Sequence, residues 1–365
     1  MKNSEKRYGA VDGLKYILML LVISCHYYNS LAFSDDNLPH FLGSDFFFHY
    51  SYLAVEIFFL ISGFFMAYTI RRKENSLSYF IKKRIKRLYP LAIISTVFIC
   101  LIGLLDTIFV HAISLEYDIW TLFLSVTGMT RWLSNEIWIY NGPLWYIQIL
   151  VLCEIFLFVI YFKKMNRSGN VLEAYILIAY VGLALKIVNL NIPFVNESVM
   201  RGMFNYFLGA TLYECTRIKI NWKNISIIFA IISLIILGIG IRDNSAEHIG
   251  NFQLCVSFII SPACLLCCLY LEFVKKLLSP LAYLGKTTYA ILSTHMSLIY
   301  VIRMLRHTGV NIDLSKVSTY LFYLIISTLI GIICYELIER RFIPWMLFRL
   351  NSIFQINKNC FVNDL

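Results

Sequence analysis

A lysine and a histidine lie eleven residues apart in the first apolar segment of this chain, within VDGLKYILMLLVISCH. At 100° per residue, Lys15 and His26 share one face of a helix and lie about 16 Å apart along its axis. Ionisable groups are costly inside a membrane, so both are candidates for function. His26 can accept a proton from a hydroxyl group near neutral pH, as a general base does. The alternative is structural, with a histidine that packs between helices and a lysine that extends toward the headgroups.

A carboxylate stands in a second apolar run, VEIFFLISGFF, at Glu56. A charged group surrounded by Phe and Ile must face a partner inside the protein. We expect that partner to be His26 or Lys15. A carboxylate bonded to one imidazole nitrogen would fix the tautomer of His26 and stabilise its protonated form.

Two arginines, Arg84 and Arg87, stand three residues apart in KKRIKRLYP, a basic loop that ends at Pro90. On a helical turn, two guanidinium groups at this spacing face one anion and suit a phosphate. The basic residues that mark the cytoplasmic side of a membrane, or that bind anionic lipid headgroups, give the same pattern. Taken alone, this segment favours positive-inside charge over a phosphate site.

The chain that must position these groups is too apolar for a soluble protein. Of its 365 residues, 59% are apolar and 15% are charged, whereas soluble domains carry about 25% charged residues. Apolar runs of near-spanning length predict an all-α polytopic membrane protein, a bundle of about ten transmembrane helices. The predicted helices lie near 13–33, 46–70, 88–110, 143–162, 171–190, 199–216, 224–241, 254–274, 284–304 and 317–339.

The basic residues predict how the bundle is oriented. If the N-terminus is cytoplasmic, the N-terminal tail, the loops after even-numbered helices and the C-terminal tail hold 3, 8, 3, 3, 3 and 4 Lys or Arg, which is 24 of the 32. This distribution favours two cytoplasmic termini and a multi-pass protein of the cytoplasmic membrane. The net charge of +10 therefore reflects membrane orientation and not nucleic-acid binding. The segment 111–141 is too polar to span, and its Trp132 and Trp138 favour an interfacial or re-entrant position.

The cysteines and the domain limits complete the outline. Most of the ten cysteines lie in apolar runs, where Cys packs as a small hydrophobic residue. The closest group, Cys264, Cys267 and Cys268, lacks a second pair or a nearby His or carboxylate, so we expect no metal site. The first helix is expected to be retained. Residues 1–345 are predicted to form one transmembrane domain, and 346–365 a short cytoplasmic tail.

Together these segments resemble the acyltransferase 3 family, membrane enzymes that O-acylate bacterial surface polysaccharides. The resemblance covers nearly the whole chain. A basic residue followed after ten positions by His matches Lys15 and His26, although the family usually has Arg first, and Lys keeps the charge without the bidentate geometry. The acidic residue before FF and SGF matches Glu56, and the cytoplasmic R-x-x-R matches Arg84 and Arg87.

Three later segments extend the resemblance. GPLWYIQ matches the GPLW motif through Trp145, and LGKTTYAILSTH matches a pattern of Gly, Tyr and His. YELIERRFIP resembles a closing motif, with the usual proline displaced to Pro344. The paired glutamates that one branch carries after the GPLW motif are absent, and Gln148 and Glu154 stand nearby instead. The further matched residues are Gly142, Pro143, Leu144, Gly285, Tyr289, His295 and Glu339.

The resemblance implies transfer of an acyl group, most simply acetyl, from cytoplasmic acyl-CoA to a hydroxyl of a cell-surface or lipid-linked glycan. It implies no bound cofactor, with acyl-CoA as a substrate. His26 would be the general base or a transient acyl carrier, and Arg84 and Arg87 would bind the donor. Lys15 and Glu56 would assist catalysis. The residues expected to bind the acceptor or support the site are Trp145, Tyr289, His295 and Glu339.

Two other functions stay open on the sequence. The buried ionisable residues are also typical of a proton relay in a transporter or flippase of a glycan precursor, which would consume no acyl-CoA. The sequence lacks the paired Gly/Pro-interrupted helices that inverted-repeat transporters often show. A non-catalytic membrane partner of a glycan assembly complex would tolerate replacement of His26. The protein is also a possible homo-oligomer. The residues of the relay would be Lys15, His26, Glu56 and His295.

Overall fold

The computed structural model describes residues 8–32, 39, 41, 44–72, 77–110, 118–137, 139–165, 170–243 and 249–349. Trp138 and the tail from residue 350 onward lie outside the described residues. Across the described ranges the chain is almost entirely helical. The helices are α1 (Gly9–Tyr27), α2 (Ser44–Tyr50), α3 (Ala54–Arg72), α4 (Leu77–Phe109), α5 (Ile119–Thr127), α6 (Thr130–Leu133), α7 (Trp145–Met165), α8 (Val171–Val188), α9 (Glu197–Thr216), α10 (Trp222–Asp243), α11 (Ile249–Cys255), α12 (Ser261–Tyr270), α13 (Glu272–Leu278), α14 (Ala282–His307) and α15 (Val317–Cys334).

The expectation of about ten spanning helices is confirmed. Eight helical stretches of the described chain are long and apolar enough to cross a membrane, and one of them combines α11 and α12 through a π-helical turn at Val256–Ile260. α9 and α14, with 20 and 26 residues, are long enough but less apolar. Both are central: α9 packs on α3 and α8, and α14 packs on α1 and α15. Their polar side chains face other helices, which explains their low hydropathy.

The basic residues gather at one end of this bundle. Arg71 and Arg72 end α3, and Lys275 and Lys276 lie in α13 before α14. The same end holds the start of α1 and the extension of α15, a π-helical turn at Tyr335–Phe342. By the positive-inside rule, this is the end that the sequence predicts to be cytoplasmic, and we call it the cytoplasmic end.

The basic segment before Pro90 is helical, so the prediction of a loop there was wrong. α4 begins at Leu77 and continues through Pro90 to Phe109, which places Arg84 and Arg87 in the basic first part of this helix. Lys, Arg and Leu favour helix, and they recur up to the proline. Proline removes one backbone hydrogen bond, and Tyr289 of α14 donates its hydroxyl to the neighbouring Leu88 carbonyl.

The polar segment before α7 forms two short helices in the residues that the structure describes. Within its described part, α5 has nine residues and α6 has four, so the longer one spans only about 13 Å. Asp118 caps α5 by accepting the N–H of Thr121 at 2.7 Å. Hydrogen bonds from Thr121 lower the pKa of the Asp118 carboxyl. Gln148 of α7 accepts the N–H of Arg131 at 2.9 Å and holds α6 against the bundle.

Two glycines set the closest helix contacts. A Cβ at Gly63 of α3 would lie 1.8 Å from the Tyr206 carbonyl oxygen of α9, and one at Gly285 of α14 would lie 1.9 Å from the Asp12 carbonyl oxygen of α1. Small residues allow backbones in membrane bundles to approach closely and pack by van der Waals contact. These two contacts bring α3 onto α9 and α1 onto α14, the helix pairs that carry most of the ionisable groups described next.

Candidate active site

The face of α1 that carries Lys15 and His26 lines a cavity of about 520 Å³ that is open to the outside of the bundle. The remaining walls come from α3, α4, α7 and α14. The helical spacing therefore predicted correctly that these two side chains share a face. His26 is partly buried and lies far along α1 from its cytoplasmic start, whereas Lys15 lies near that start.

The cytoplasmic part of this cavity is basic. Lys83, Arg84 and Arg87 of α4 line it together with Lys15, and Glu154 of α7 is the carboxylate in the wall. Arg84 forms an ion pair with the buried Glu154. With four cations and one carboxylate, this part of the cavity suits an anionic ligand. The arginine pair and His26 are therefore walls of one space.

His26 has an aromatic neighbour that fixes part of its surroundings. The rings of His26 and His295 have centroids 5.1 Å apart and an interplanar angle of 49°. The Nδ1 atom of His295 lies 2.9 Å from the Ile291 carbonyl. Because a carbonyl only accepts hydrogen bonds, Nδ1 is the donor, and in the neutral ring Nε2 then keeps its lone pair. This Nε2 is buried and has no hydrogen-bond partner among the described residues.

The expected partner of Glu56 was wrong. Its carboxylate binds Arg201 of α9, with 2.7 Å between Arg201 Nε and Glu56 Oε1, and it accepts the amide N–H of Gln253 at 2.6 Å. Glu56 is fully buried, and the close α3–α9 contact brings it to Arg201 rather than to α1. An arginine satisfies a buried carboxylate better than a lysine does because it also directs its fork of donors.

Sequence analysis missed Arg201 and the network around it. Lys186 of α8 donates to Gln253 at 2.6 Å, and Arg201 also donates to the Tyr52 carbonyl at 3.1 Å. The guanidinium lies 5.5 Å from the ring of Trp145, which lines the cavity. The signal was present in the sequence, because Arg201 and Lys186 are basic residues inside or at the end of predicted spans.

Lys15 was the other expected partner of Glu56, and its contacts also differ from this expectation. Its ammonium lies 3.5 Å from an Asp12 carboxylate oxygen, one helical turn earlier, and 5.8 Å from the centroid of the Phe65 ring. The solvent-accessible fraction of the Lys15 side chain is 30%. Lys15 is thus a cation in the cavity wall near the cytoplasmic end.

The remaining predicted site residues lie in different positions. Trp145 and Tyr289 line the cavity, and the Tyr289 hydroxyl is bound to the Leu88 carbonyl. Glu339 lies on the extension of α15, close enough to Arg87 for a Coulombic interaction, and is not part of the cavity wall. The structure therefore places Trp145 and Tyr289 in the wall of the cavity that holds His26. It places Glu339 outside this wall, near Arg87.

The two residues that stand near the absent paired glutamates have distinct contacts. Gln148 accepts from Thr130 and Arg131 of the outer segment, so it positions α6. Glu154 reaches the cavity and binds Arg84. Only Glu154 therefore acts on the charge of the cavity.

Asn141 is a further buried polar residue that the sequence did not single out. It precedes α7 and donates to Ser95 Oγ of α4 at 3.0 Å and to the Ser293 carbonyl of α14 at 2.8 Å. These bonds tie three helices together beside Pro143 and Trp145, which line the cavity. In the part of the chain that the structure describes, no group of three His, Cys, Asp or Glu is placed to hold a metal ion.

Comparison with known proteins gives one match. A family model described as an acyltransferase domain, that of acyltransferase 3, matches residues 8–336, nearly the whole chain. The matched range includes the whole cavity wall, His26 and His295. No curated protein and no solved structure matches the chain.

Proposed function

Because this chain belongs to the acyltransferase 3 family and is a membrane acyltransferase, we propose that it transfers an acetyl group from cytoplasmic acyl-CoA to a hydroxyl of a cell-surface or lipid-linked glycan. The proposal places the enzyme in the cytoplasmic membrane. One observation carries it: a single cavity joins a cluster of cations at the cytoplasmic end to His26. Acyl-CoA has the matching form, with a polyanionic head and a long thin arm that ends in the thioester.

The cations of the cavity account for donor binding. Arg84 and Arg87 offer guanidinium donors to the phosphates, and Lys83 and Lys15 add positive charge. Arg84 also holds Glu154, so the carboxylate fixes its position and lowers the net charge. The arm of the donor would then lie between α1, α3 and α7 and bring the thioester toward His26.

The reaction needs one proton acceptor and one proton donor, and His26 can serve as both. The acceptor oxygen attacks the thioester carbonyl carbon as His26 takes the hydroxyl proton. The new C–O bond forms, the C–S bond breaks, and His26 returns the proton to the thiolate of CoA. Transfer through an acyl group carried on His26 gives the same products in two steps.

His295 would orient His26 during this cycle. Its Nε2 lone pair faces no described partner, and a neutral imidazole acceptor beside His26 can take a hydrogen bond from one nitrogen of that ring. The other nitrogen of His26 is then left with its lone pair as the base. His295 is therefore a positioning residue in this mechanism.

The transporter alternative loses one of its four relay groups. A relay through Lys15, His26, Glu56 and His295 requires Glu56 to face the histidines, and its carboxylate is bound by Arg201 and Gln253. Because these bonds hold the carboxylate at α9 and α11, it is not placed to pass a proton to His26. Acyl transfer requires no such relay.

The deciding experiment compares surface-glycan ester content in a deletion strain complemented with wild type or with His26→Ala at equal membrane abundance. We expect the variant to lose at least about 100-fold in transfer, because a positioned base contributes that much or more. His307→Ala is the matched control, since His307 is exposed at the outer end of α14. Purified wild type should also release CoA from acetyl-CoA.

The outcomes separate the alternatives. Esters restored by wild type and His307→Ala but not by His26→Ala support the proposal. Restoration by His26→Ala removes this residue from the chemistry. Wild-type protein that releases no CoA while solute crosses the membrane with protons would replace acyl transfer by transport.

A further inference from the structure

The part of the cavity around His26 lies where three helices begin or end. His26 is in the last turn of α1, Val55 in the first turn of α3 and Trp145 in the first turn of α7, and all three line the wall. α1 runs away from the cytoplasmic end. α7 runs back toward it, because Glu154, nine residues after Trp145, binds Arg84. The Trp145 indole and the His26 imidazole therefore lie in the same part of the cavity, remote from its basic end.

The indole N–H of Trp145 has no hydrogen-bond partner among the residues that the structure describes. Two other tryptophans bind this group to the protein. Trp132 donates to the Gln148 carbonyl at 2.8 Å. Trp222 donates to the Ile218 carbonyl at 3.1 Å. Buried tryptophans usually find a partner for this N–H. Trp145 is half-buried and lines the cavity, so a bound substrate can accept this hydrogen bond.

The protein holds the ring of this indole from other sides. The guanidinium of Arg201 lies over the Trp145 ring, 5.5 Å from its centroid, and the Phe59 centroid is 6.0 Å away at an interplanar angle of 53°. Arg201 is itself fixed by the Glu56 carboxylate and the Tyr52 carbonyl. Indole is the aromatic ring that attracts a cation most strongly. These contacts fix the plane of the ring and with it the direction of the N–H.

Acyl transfer from a thioester places negative charge on the carbonyl oxygen. As the acceptor oxygen bonds to the carbonyl carbon, the C=O π electrons move onto this oxygen, and they return when the C–S bond breaks and the thiolate leaves. A fixed N–H beside this oxygen stabilises the transition state more than the ground state. His26 moves the proton in the proposed reaction. Lys15 lies about 16 Å from His26 along α1 and binds Asp12, one turn further away.

We propose that Trp145 is a further catalytic residue, whose indole N–H donates a hydrogen bond to the thioester carbonyl oxygen in the transition state, and that Arg201 positions this indole. This inference rests on the proposed acyl transfer. It gives the buried pair of Glu56 and Arg201, which lies behind the cavity wall, a part in the reaction. A Trp145 that only binds the acceptor would need its aromatic ring, whereas this role needs the N–H.

The first test removes the N–H and keeps an aromatic ring. Membranes of a deletion strain supply the cell's own acceptor, and CoA release from acetyl-CoA gives kcat and KM. Trp145→Phe should lower kcat by about tenfold or more and leave the KM for acetyl-CoA within about twofold. Replacement of Trp145 by benzothienylalanine, in which sulfur takes the place of the N–H in the same bicyclic ring, should have the same effect. Trp222→Phe removes an indole N–H outside the cavity wall and should keep the wild-type kcat.

The second test asks whether Arg201 acts through Trp145. Arg201→Lys keeps a cation for Glu56 and loses the planar group that lies over the indole. It should lower kcat by about threefold or more in the wild-type background and by less than about 1.5-fold in the Trp145→Phe background, since the N–H that it orients is then absent. A fall in kcat by the same factor in both backgrounds would overturn the positioning role of Arg201.

A third measurement separates the donor role from the fold. S-ethyl-CoA is a thioether that lacks the carbonyl oxygen, so wild type and both Trp145 variants should bind it with Kd values within about twofold of one another. Unchanged binding with a lowered kcat supports the proposal. If Trp145→Phe loses this binding, the benzothienylalanine protein, which keeps the shape of the ring, decides.

The remaining outcomes distinguish this inference from the function on which it rests. If both Trp145 variants keep the wild-type kcat, the N–H is not the donor, although acyl transfer stands. If wild-type protein releases no CoA in these membranes, the proposed function fails, and this inference fails with it.

Discussion

The pair formed by His26 and His295 has a property that a histidine and carboxylate pair would lack. A carboxylate would stabilise a protonated His26 by its charge. A neutral His295 that donates from Nδ1 to the Ile291 carbonyl would orient His26 by a hydrogen bond without holding the proton there. Such a base gives the proton up readily to the departing thiolate, which suits an exchange between two groups bound at the same time.

The positioning role of His295 can be tested by a variant that keeps the hydrogen-bond acceptor. His295→Leu should lower kcat by about tenfold or more, because His26 loses its orienting contact. His295→Gln places an amide oxygen near the position of Nε2 and should keep a larger share of kcat. The KM for acetyl-CoA should stay within about twofold in both, since the basic donor end is remote from His295. Steady-state kinetics of the purified variants give both values.

Equal losses of kcat in the two variants, accompanied by equal losses of thermal stability, would contradict that role and leave His295 as a packing residue.

Helical spacing alone predicted that His26 and Lys15 share the face of α1 that lines the cavity. The partner of Glu56 could not, because several cations lie in predicted spans and only the α3–α9 contact selects Arg201. Buried charges are thus visible in a sequence, but their pairing depends on helix packing.

The sequence predicts a helix well where a long apolar run marks it, and less well where the helix is partly polar. Within the described ranges, eight spanning stretches stand out by hydropathy. α9 and α14 are partly polar because they are surrounded by other helices, so their limits rest on weaker signals. The cytoplasmic extension of α4 was missed because Pro90 looked like a helix start, whereas the helix continues through it.

The α3–α9 contact depends on a glycine, and this gives a stability prediction. A methyl group at Gly63 would meet the Tyr206 backbone at 1.8 Å. Gly63→Ala must therefore push α9 away, and it should lower the free energy of unfolding by about 1–3 kcal/mol. Gly238→Ala on α10 meets nothing within 4 Å and should be neutral or slightly stabilising. Thermal unfolding of both purified variants in detergent gives the comparison. A Gly63→Ala protein as stable as Gly238→Ala would mean that α3 and α9 are less closely packed than described.

On the scale of the whole molecule, one cavity connects the basic end of the bundle with His26. Lys83, Arg84 and Arg87 lie near the start of α4 and Lys15 near the start of α1, whereas His26 lies near the other end of α1. In the proposed reaction the acyl-CoA donor therefore enters from the basic end, and CoA leaves by the same route.

This arrangement predicts that acyl-CoA is consumed from one side only. CoA thioesters carry several phosphate charges and do not cross a bilayer, so they reach the basic cavity only from the cytoplasmic face. Inverted membrane vesicles that contain the protein should release CoA from added acetyl-CoA, whereas sealed right-side-out vesicles should release little until detergent opens them. His26→Ala vesicles of the same abundance correct for other thioesterases. Equal rates in sealed vesicles of both orientations would mean that the donor does not approach through the end marked by Arg84 and Arg87.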